Sequence, residues 1–428
     1  MVIALSKVPS MSTLANAHPL FAGLRRNASF NKEVHIQSGD PEDKLLRDAR
    51  SILRDAIRQR LNDLGTLLTE GEGNDIRVAK SDSLSAAAKG RRIRSLDVRF
   101  LSQGSFVYGT LVRPAQPECQ EIDLDDGIYV PIEFEDGVPV LPSAALFYAV
   151  EKALEPVIEE QGWSFERKAT CIRVSLSGEG AHVDLPLFAV DQSDFQRVEK
   201  NYQDRIGLKE SRQASILNDS RINDRDSFRV DENLILLAHR ERNWEPSDPK
   251  AFQDWFEDCV TRFGPVLRRM CRYLKSWRDE HFAKTKLSSL ALMVVCVEAC
   301  EKLDGEPADN RDDLLMWAAA ETLVSVLKSG SIPNPIVENA PPLDAKVTSE
   351  ERAQLVAAAE ALDEEMEQAL YGTHHAQIVV DRLRRAYGDR FPDEPDAVIV
   401  RSAQQAAVHI EREAQKVAMP RVGNSVSG

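Results

Sequence analysis

The stretch Gly104–Val130, "GSFVYGTLVRPAQPECQEIDLDDGIYV", places five carboxylates (Glu118, Glu121, Asp123, Asp125 and Asp126) beside residues that otherwise favour a buried strand. Ile122, Leu124 and Ile128 read as the apolar positions of that strand. Neighbouring side chains of a strand point to opposite faces, so Asp123 and Asp125 share one face while Leu124 and Asp126 take the other. Two carboxylates side by side repel each other. They need water between them, a proton on one of them, or a cation. A solvated acidic strand end is the plain reading, since turn chemistry enriches Asp at such places.

Two features outside the run favour the cation. Asp184, in "AHVDLPLFAV", has a similar setting between Val183 and Leu185 on a second expected strand. If the two strands are neighbours, three acids converge. Mg²⁺ held by a few carboxylates usually completes its shell with water and substrate phosphates. Two such ions flanking a phosphorus would activate an attacking hydroxyl and stabilise the developing charge. Upstream, Gly104-Ser105 reads as a small turn whose N–H groups and hydroxyl could meet a triphosphate.

Composition bounds the rest. The chain has 428 residues, 43% hydrophobic and 29% charged, with net charge −15. That suffices for two or three domains with real cores. The acidity weighs against coating nucleic acid; "KGRRIRSLDVR" (Lys89–Arg99) is the one basic run. The six cysteines form no CxxC pair, and Cys296 and Cys300, one helical turn apart, read as core. The N-terminal apolar run is too short for a signal peptide and no stretch approaches a membrane span. A soluble, cytoplasmic protein is expected.

Residues 1–40 read as a poorly specified arm. Leu45, Leu46, Ala49, Ile52, Leu53, Ala56, Ile57 and Leu61 share one face of a long amphipathic helix that should end near Gly65. Residues 70–90 read as loop. From Arg92 to Val190 the period shifts towards two: "IRSLDVRFLSQGS", "IDLDDGIYVPI", "FERKATCIRVSLS" and "AHVDLPLFAV" read as strands, with a helix in "PSAALFYAVEKALEPVIEEQG". After Gln192 the chain reads as mostly helical, with Asp248 and Pro249 marking one helix start and "SSLALMVVCVEAC" a buried helix. The expectation is an α+β fold: a mixed-sheet core over residues 41–245, a helical domain over 246–418 and a flexible tail over 419–428.

In order, these blocks resemble the bacterial cyclic GMP–AMP synthases. They are the DncV-like branch of the cGAS/DncV-like nucleotidyltransferases, within the polymerase-β-like superfamily. The likeness runs through "SQGSFVYGTLVRPAQPECQEIDLDDGIYVPI", "FERKATCIRVSLSGEGAHVDLPLFAV", "RNWEPSDPKAFQDWFEDC" and "LRRMCRYLKSWRDEHFAKTKLSSLALM". It implies a nucleotidyltransferase lobe and a helical lobe with the active site in the cleft between. Carried over by motif, Asp123, Asp125 and Asp184 would hold two Mg²⁺ ions, with Mn²⁺ as a substitute, and Asp184 would help deprotonate the incoming hydroxyl. Gln103, Gly104 and Ser105 would hold the donor triphosphate. Tyr108 would lie along a nucleotide, Arg173 would reach phosphate or base, and Ser247, Lys275, Ser288 and Ser289 would contact nucleotide.

Each of these has a plainer reading from its residue type. Tyr108 suits a strand aromatic, Lys275 a surface lysine, and Ser247 and Ser288 helix caps. His182 shares a side with Asp184 and reads as structural. Glu118 and Glu121 carry no role. The linker "RPAQPECQE" is slightly longer than in the family pattern, and "FAKTKLSS" lacks the Gly-Pro expected there.

The resemblance implies a synthase that joins ATP and GTP into a second messenger, best matched by 3′,3′-cyclic GMP–AMP, and releases pyrophosphate in anti-phage signalling. A downstream cyclic-nucleotide effector would receive the product. Through the terminal Gly428, an E1/E2-like enzyme would conjugate the chain. Two other readings remain open at this point. One is a nucleotidyltransferase making another cyclic product or modifying an RNA or small molecule; the other is an inactive nucleotide-binding scaffold.

Overall fold

The computed structural model describes residues 13–23, 28–61, 98–132, 134–139, 141–191, 235–247, 249–303, 311–336 and 341–401. The chain begins with β1 (Ala15–Asn16), α1 (His18–Ala22), α2 (Phe30–Val34) and α3 (Pro41–Leu61). Then come β2 (Arg99–Gln103), α4 (Gly104–Tyr108), β3 (Ile122–Ile132), the short hairpin β4 (Phe134–Glu135) and β5 (Val138–Pro139), and α5 (Ser143–Gln161). β6 (Ser164–Arg167), β7 (Cys171–Leu176), β8 (Ala181–Asp191), β9 (Ile235–His239) and β10 (Asn243–Pro246) follow. The helices α6 (Pro249–Phe263), α7 (Val266–His281), α8 (Ser289–Lys302), α9 (Asp312–Ser329), α10 (Ser349–Tyr371) and α11 (Ala376–Tyr387) precede a last strand, β11 (Ile399–Val400).

A seven-stranded mixed sheet carries the candidate site. At its centre β3 pairs antiparallel with β2 and parallel with β8. The first half of β8 pairs antiparallel with β7 and the second half with β9. β6 and β10 extend the sheet beyond β7 and β9. The parallel β3–β8 pair needs a crossover, which here holds α5 and the β6–β7 hairpin.

Alternation along β3 and β8 separates two faces. One face buries Leu124, Ile128, Val130, Val183, Leu185 and Leu187 against Leu46, Leu53 and Ile57 of α3 and Leu146, Val150 and Leu154 of α5. Each such Leu, Ile or Val stabilises the fold by about 1.5–3 kcal/mol when fully buried. The other face carries Asp123, Asp125 and Asp184, all half-buried.

The described residues form two compact units. The sheet unit spans residues 34–286 and 333–343, so it keeps α6 and α7. The boundary expected at residue 246 from the change of periodicity falls inside it. The second unit spans residues 1–33, 287–332 and 344–428. It buries α8 nearly all round, as the sequence leads one to expect, and gathers Phe21, Phe30, Tyr387 and Phe391 into an aromatic core.

Part of the expected N-terminal arm is built into the fold: β1 pairs with β11, and the buried Asp313 carboxylate accepts from the Ala17 N–H at 2.8 Å. Two expectations are corrected. "FERKATCIRVSLS" is two strands, not one, with Ser164 opposite Ser175 and Arg167 opposite Ile172. Gly104-Ser105 opens a short helix rather than a free turn. The expected end of α3 near Gly65, the loop over 70–90, most of the basic run, Asp248 and the C-terminal tail with Gly428 lie outside the described residues.

Candidate active site

The parallel register sets Asp125 beside Asp184, and Asp123 beside His182. The two expected strands are therefore neighbours and the three acids lie on one face. Burial first, then the charges of Asp123 and Asp184, push the Asp125 carboxyl up to about 8. A carboxyl raised this far is one that a cation would relieve. Arg173, opposite Asp184 on β7, now supplies that positive charge. Its Nε donates to Asp184 Oδ1 at 2.8 Å and its Nη2 to Oδ2 at 2.7 Å. This bond holds the Arg173 guanidinium firmly charged.

Gly104 explains how the short helix comes so close. Its φ is +64°, in the left-handed region, and a Cβ built there would stand 2.0 Å from Asp125 Oδ2. Only glycine leaves room for that carboxylate and adopts this backbone without strain. Ser105 follows with its Oγ buried and without a hydrogen-bond partner. Gln103 lies opposite Asp125, but its amide Nε2 donates to the Tyr129 hydroxyl at 2.6 Å. Gly127 makes space for that amide, since a Cβ there would meet Gln103 Nε2 at 2.5 Å.

The C-terminal end of α4 is tied down by one face of α7. Arg268 Nε donates to the Tyr108 carbonyl at 2.9 Å, Arg272 Nη1 to the Gly109 carbonyl at 2.6 Å, and Lys275 Nζ to the Thr110 carbonyl at 3.0 Å. Lys275 is thus a buried brace of the sheet unit and not an exposed lysine. Burial lowers its pKa, against the opposing pull of Asp123. The ring of Tyr108 is buried too, 6.0 Å from Phe252 and 5.7 Å from Phe256 on α6. Burial raises its phenol's pKa, and the charge of Asp125 adds to that.

Other expected nucleotide contacts stand on other elements. Ser247 sits after β10, its N–H donating to the Ile235 carbonyl at 3.2 Å. Ser288 caps α8 by accepting from the Ala291 N–H at 3.2 Å, and Ser289 is that helix's first residue. Both serines belong to the second unit.

Behind the acids, Asp126 is fully buried and ion-paired to Arg54 of α3 at 2.7 Å from Nε to Oδ2. Ser102 Oγ bridges the pair, donating to Asp126 Oδ1 at 3.0 Å and accepting from Arg54 Nη2 at 3.2 Å, and it also accepts from Arg50 Nη1 at 2.8 Å. The sequence reading missed this anchor. The signal was there, in arginines one turn apart on a helix facing a strand acid. It also missed Gln116 and Gln120. In the linker before β3, their amides donate to carbonyls of Asp279, Glu280 and Phe282 at the end of α7.

Among the described residues no three His, Cys, Asp or Glu side chains stand ready to enclose a metal ion. The Arg173 bond engages both oxygens of Asp184. The donor set nevertheless suits a hard cation: three carboxylates on one face, one of them pushed up to about 8 by burial and its acidic neighbours.

Two family models match the chain. The nucleotidyltransferase domain of the DncV-like cyclic GMP-AMP synthases covers residues 98–188, and the cyclic GMP-AMP synthase C-terminal domain covers 264–401. The chain belongs to the DncV-like nucleotidyltransferases. It is 36% identical over 218 residues to a cyclic GMP-AMP synthase of Vibrio cholerae, covering 50% of each chain. It is 32% identical over 279 residues to one from Escherichia coli, covering 62% of this chain and 63% of that one. The matches thus span 50% and 63% of these relatives, less than two thirds of either. The fold is similar to that of the Vibrio cholerae DncV cyclic AMP-GMP synthase in complex with the linear intermediate 5′ pppA(3′,5′)pG. The TM-score is 0.71 at 25% identity, over 92% of this chain and 100% of that one.

Proposed function

We propose that this chain is a divalent-cation-dependent cyclic dinucleotide synthase that joins ATP and GTP into 3′,3′-cyclic GMP–AMP. One observation carries the reading: three aspartates of adjacent strands share a sheet face, with Gly104 packed against the central one. Membership of a family whose relatives are named cyclic GMP-AMP synthases supports it.

Asp123, Asp125 and Asp184 would hold two Mg²⁺ ions, with Mn²⁺ as a substitute. The bound ions would supply charge neutralisation at the reacting phosphorus and acidify the attacking hydroxyl. The chain's own residues orient the rest. The N–H groups of Gly104 and Ser105, with the unpartnered Ser105 hydroxyl, meet the donor triphosphate. Arg173 is held at Asp184, where its guanidinium would meet a phosphate oxygen. Asp184 accepts the hydroxyl proton. By likeness to the Vibrio cholerae intermediate, the 3′-hydroxyl of ATP attacks the α-phosphorus of GTP. The new P–O bond forms as the bond to pyrophosphate breaks. The linear product then re-docks, and the guanosine 3′-hydroxyl attacks the remaining 5′-triphosphate with loss of a second pyrophosphate.

Use of ATP and GTP supports a cytoplasmic location. Among the described residues no helix is long and apolar enough to cross a membrane. The family likeness supports an anti-phage messenger read by a downstream effector. It also supports conjugation of Gly428 by an E1/E2-like partner.

Incubation with radiolabelled ATP and GTP, then phosphatase, tests the chemistry. The expected product resists phosphatase and opens with a nuclease specific for 3′,5′ linkages. Label incorporated into added RNA would replace this reading with that of a tailing enzyme.

A further inference from the structure

The sequence reading took His182 as structural, and the structure gives it more to do. Its ring is buried, 6% exposed, on the strand face that carries Asp184. Nδ1 lies 2.8 Å from Glu121 Oε2. Glu121 ends the linker that leads into β3 and is itself half-exposed. The other ring nitrogen, Nε2, is buried without a hydrogen-bond partner, 4.0 Å from Asp184 Oδ2. A buried polar atom with nothing to bond is uncommon and calls for a reason.

We propose that Glu121 and His182 form a positioning pair for the Asp184 carboxylate. The inference rests on the reading of the three aspartates as cation ligands. A carboxylate is acceptor-only, so Glu121 holds a proton on Nδ1 and fixes the ring. Nε2 then faces the Asp184 carboxylate. The gap is too long for a direct bond. One water between the two atoms spans about 4–4.6 Å with two hydrogen bonds of ordinary length, and such bridges hold nearly as well as direct bonds. Such a water would hold Asp184 Oδ2, the oxygen that also accepts from Arg173 Nη2. Hydrogen-bonded partners of ligating carboxylates serve this purpose generally.

The test titrates Mn²⁺ alone into the full chain and reads the free ion by electron paramagnetic resonance, with thermal unfolding alongside. His182→Ala and Glu121→Ala should each weaken Mn²⁺ binding by roughly 10–100-fold. Glu121→Gln should stay within about threefold of the parent, because its amide oxygen still accepts from Nδ1–H. Glu121 is 46% exposed, so its variants keep the fold and decide the matter even if His182→Ala does not fold. Parent-like Mn²⁺ affinity in Glu121→Ala overturns the proposal. So does a Glu121→Gln variant as weak as Glu121→Ala, since charge and not the hydrogen bond to Nδ1 would then matter. Asp125→Asn separates the two layers: unchanged Mn²⁺ binding there sinks the cation reading itself, whereas its loss there with normal Glu121→Ala sinks only the positioning pair.

Discussion

Gly104→Ala isolates the contact on which the proposed chemistry depends. The new Cβ would lie 2.0 Å from Asp125 Oδ2 and 3.0 Å from its Cγ. An ordinary carbon–oxygen contact is about 3.2–3.5 Å, so the carboxylate or the helix must shift by more than about 1 Å. A displacement of that size at reacting groups costs on the order of 100-fold in rate. The left-handed backbone adds about 1–2 kcal/mol of strain. Gly178→Ala is the matched control, because Gly178 has φ +81° and nothing within 4 Å of its Cβ position. In thermal melts Gly178→Ala should show the backbone strain alone, a few degrees at most, and Gly104→Ala that loss plus the cost of the displacement. Cyclic product formation, followed by chromatography at saturating ATP and GTP, should fall about 100-fold or more for Gly104→Ala and stay near parent for Gly178→Ala. If Gly104→Ala keeps full turnover while losing no more stability than the control, the close approach to Asp125 has no catalytic meaning.

Two more outcomes follow from the surroundings of the acids. Arg54→Met leaves the fully buried Asp126 charge without its arginine; such breaks cost about 3–5 kcal/mol. Urea denaturation should show this loss, with Arg54→Met/Asp126→Leu regaining most of it. The Asp125 carboxyl, raised from 3.8 to about 8, keeps a proton in the folded state that the unfolded chain gives up near pH 4. Its contribution to the stability of the metal-free protein is therefore full at low pH and lost as pH rises through about 8. Cation binding must displace that proton. Mn²⁺ affinity should accordingly climb with pH and level off above about pH 8, and calorimetry in buffers of different ionisation heat should detect the proton released.

Much of this site was legible because β-strand parity is a local rule. Ile122, Leu124 and Ile128 against Asp123 and Asp125 announce a two-faced strand, and the structure buries the first set and half-exposes the second. What pairs with that strand is not local. The β3–β8 register joins residues some sixty positions apart, and only the match of motif order to a known family suggested it. The β6–β7 hairpin was missed because its turn, around Lys168-Ala169-Thr170, has no Gly, Pro or Asn to mark it. The five-residue α4 is too short to show a helical period. The place of α7 in the sheet unit depends on Arg268, Arg272 and Lys275 meeting three consecutive carbonyls. That is a tertiary fact about backbone groups, on which side-chain patterns are silent. His182 read as inert because strand parity gives its side and not its unsatisfied nitrogen.

The most direct test of the account is mass spectrometry of the product made from all four nucleoside triphosphates with Mg²⁺, for the parent and for Asp123→Asn/Asp125→Asn. The account predicts a single dominant species with the mass of cyclic GMP–AMP from the parent and none from the variant. A parent that makes no cyclic product, or a variant that makes as much as the parent, would contradict it.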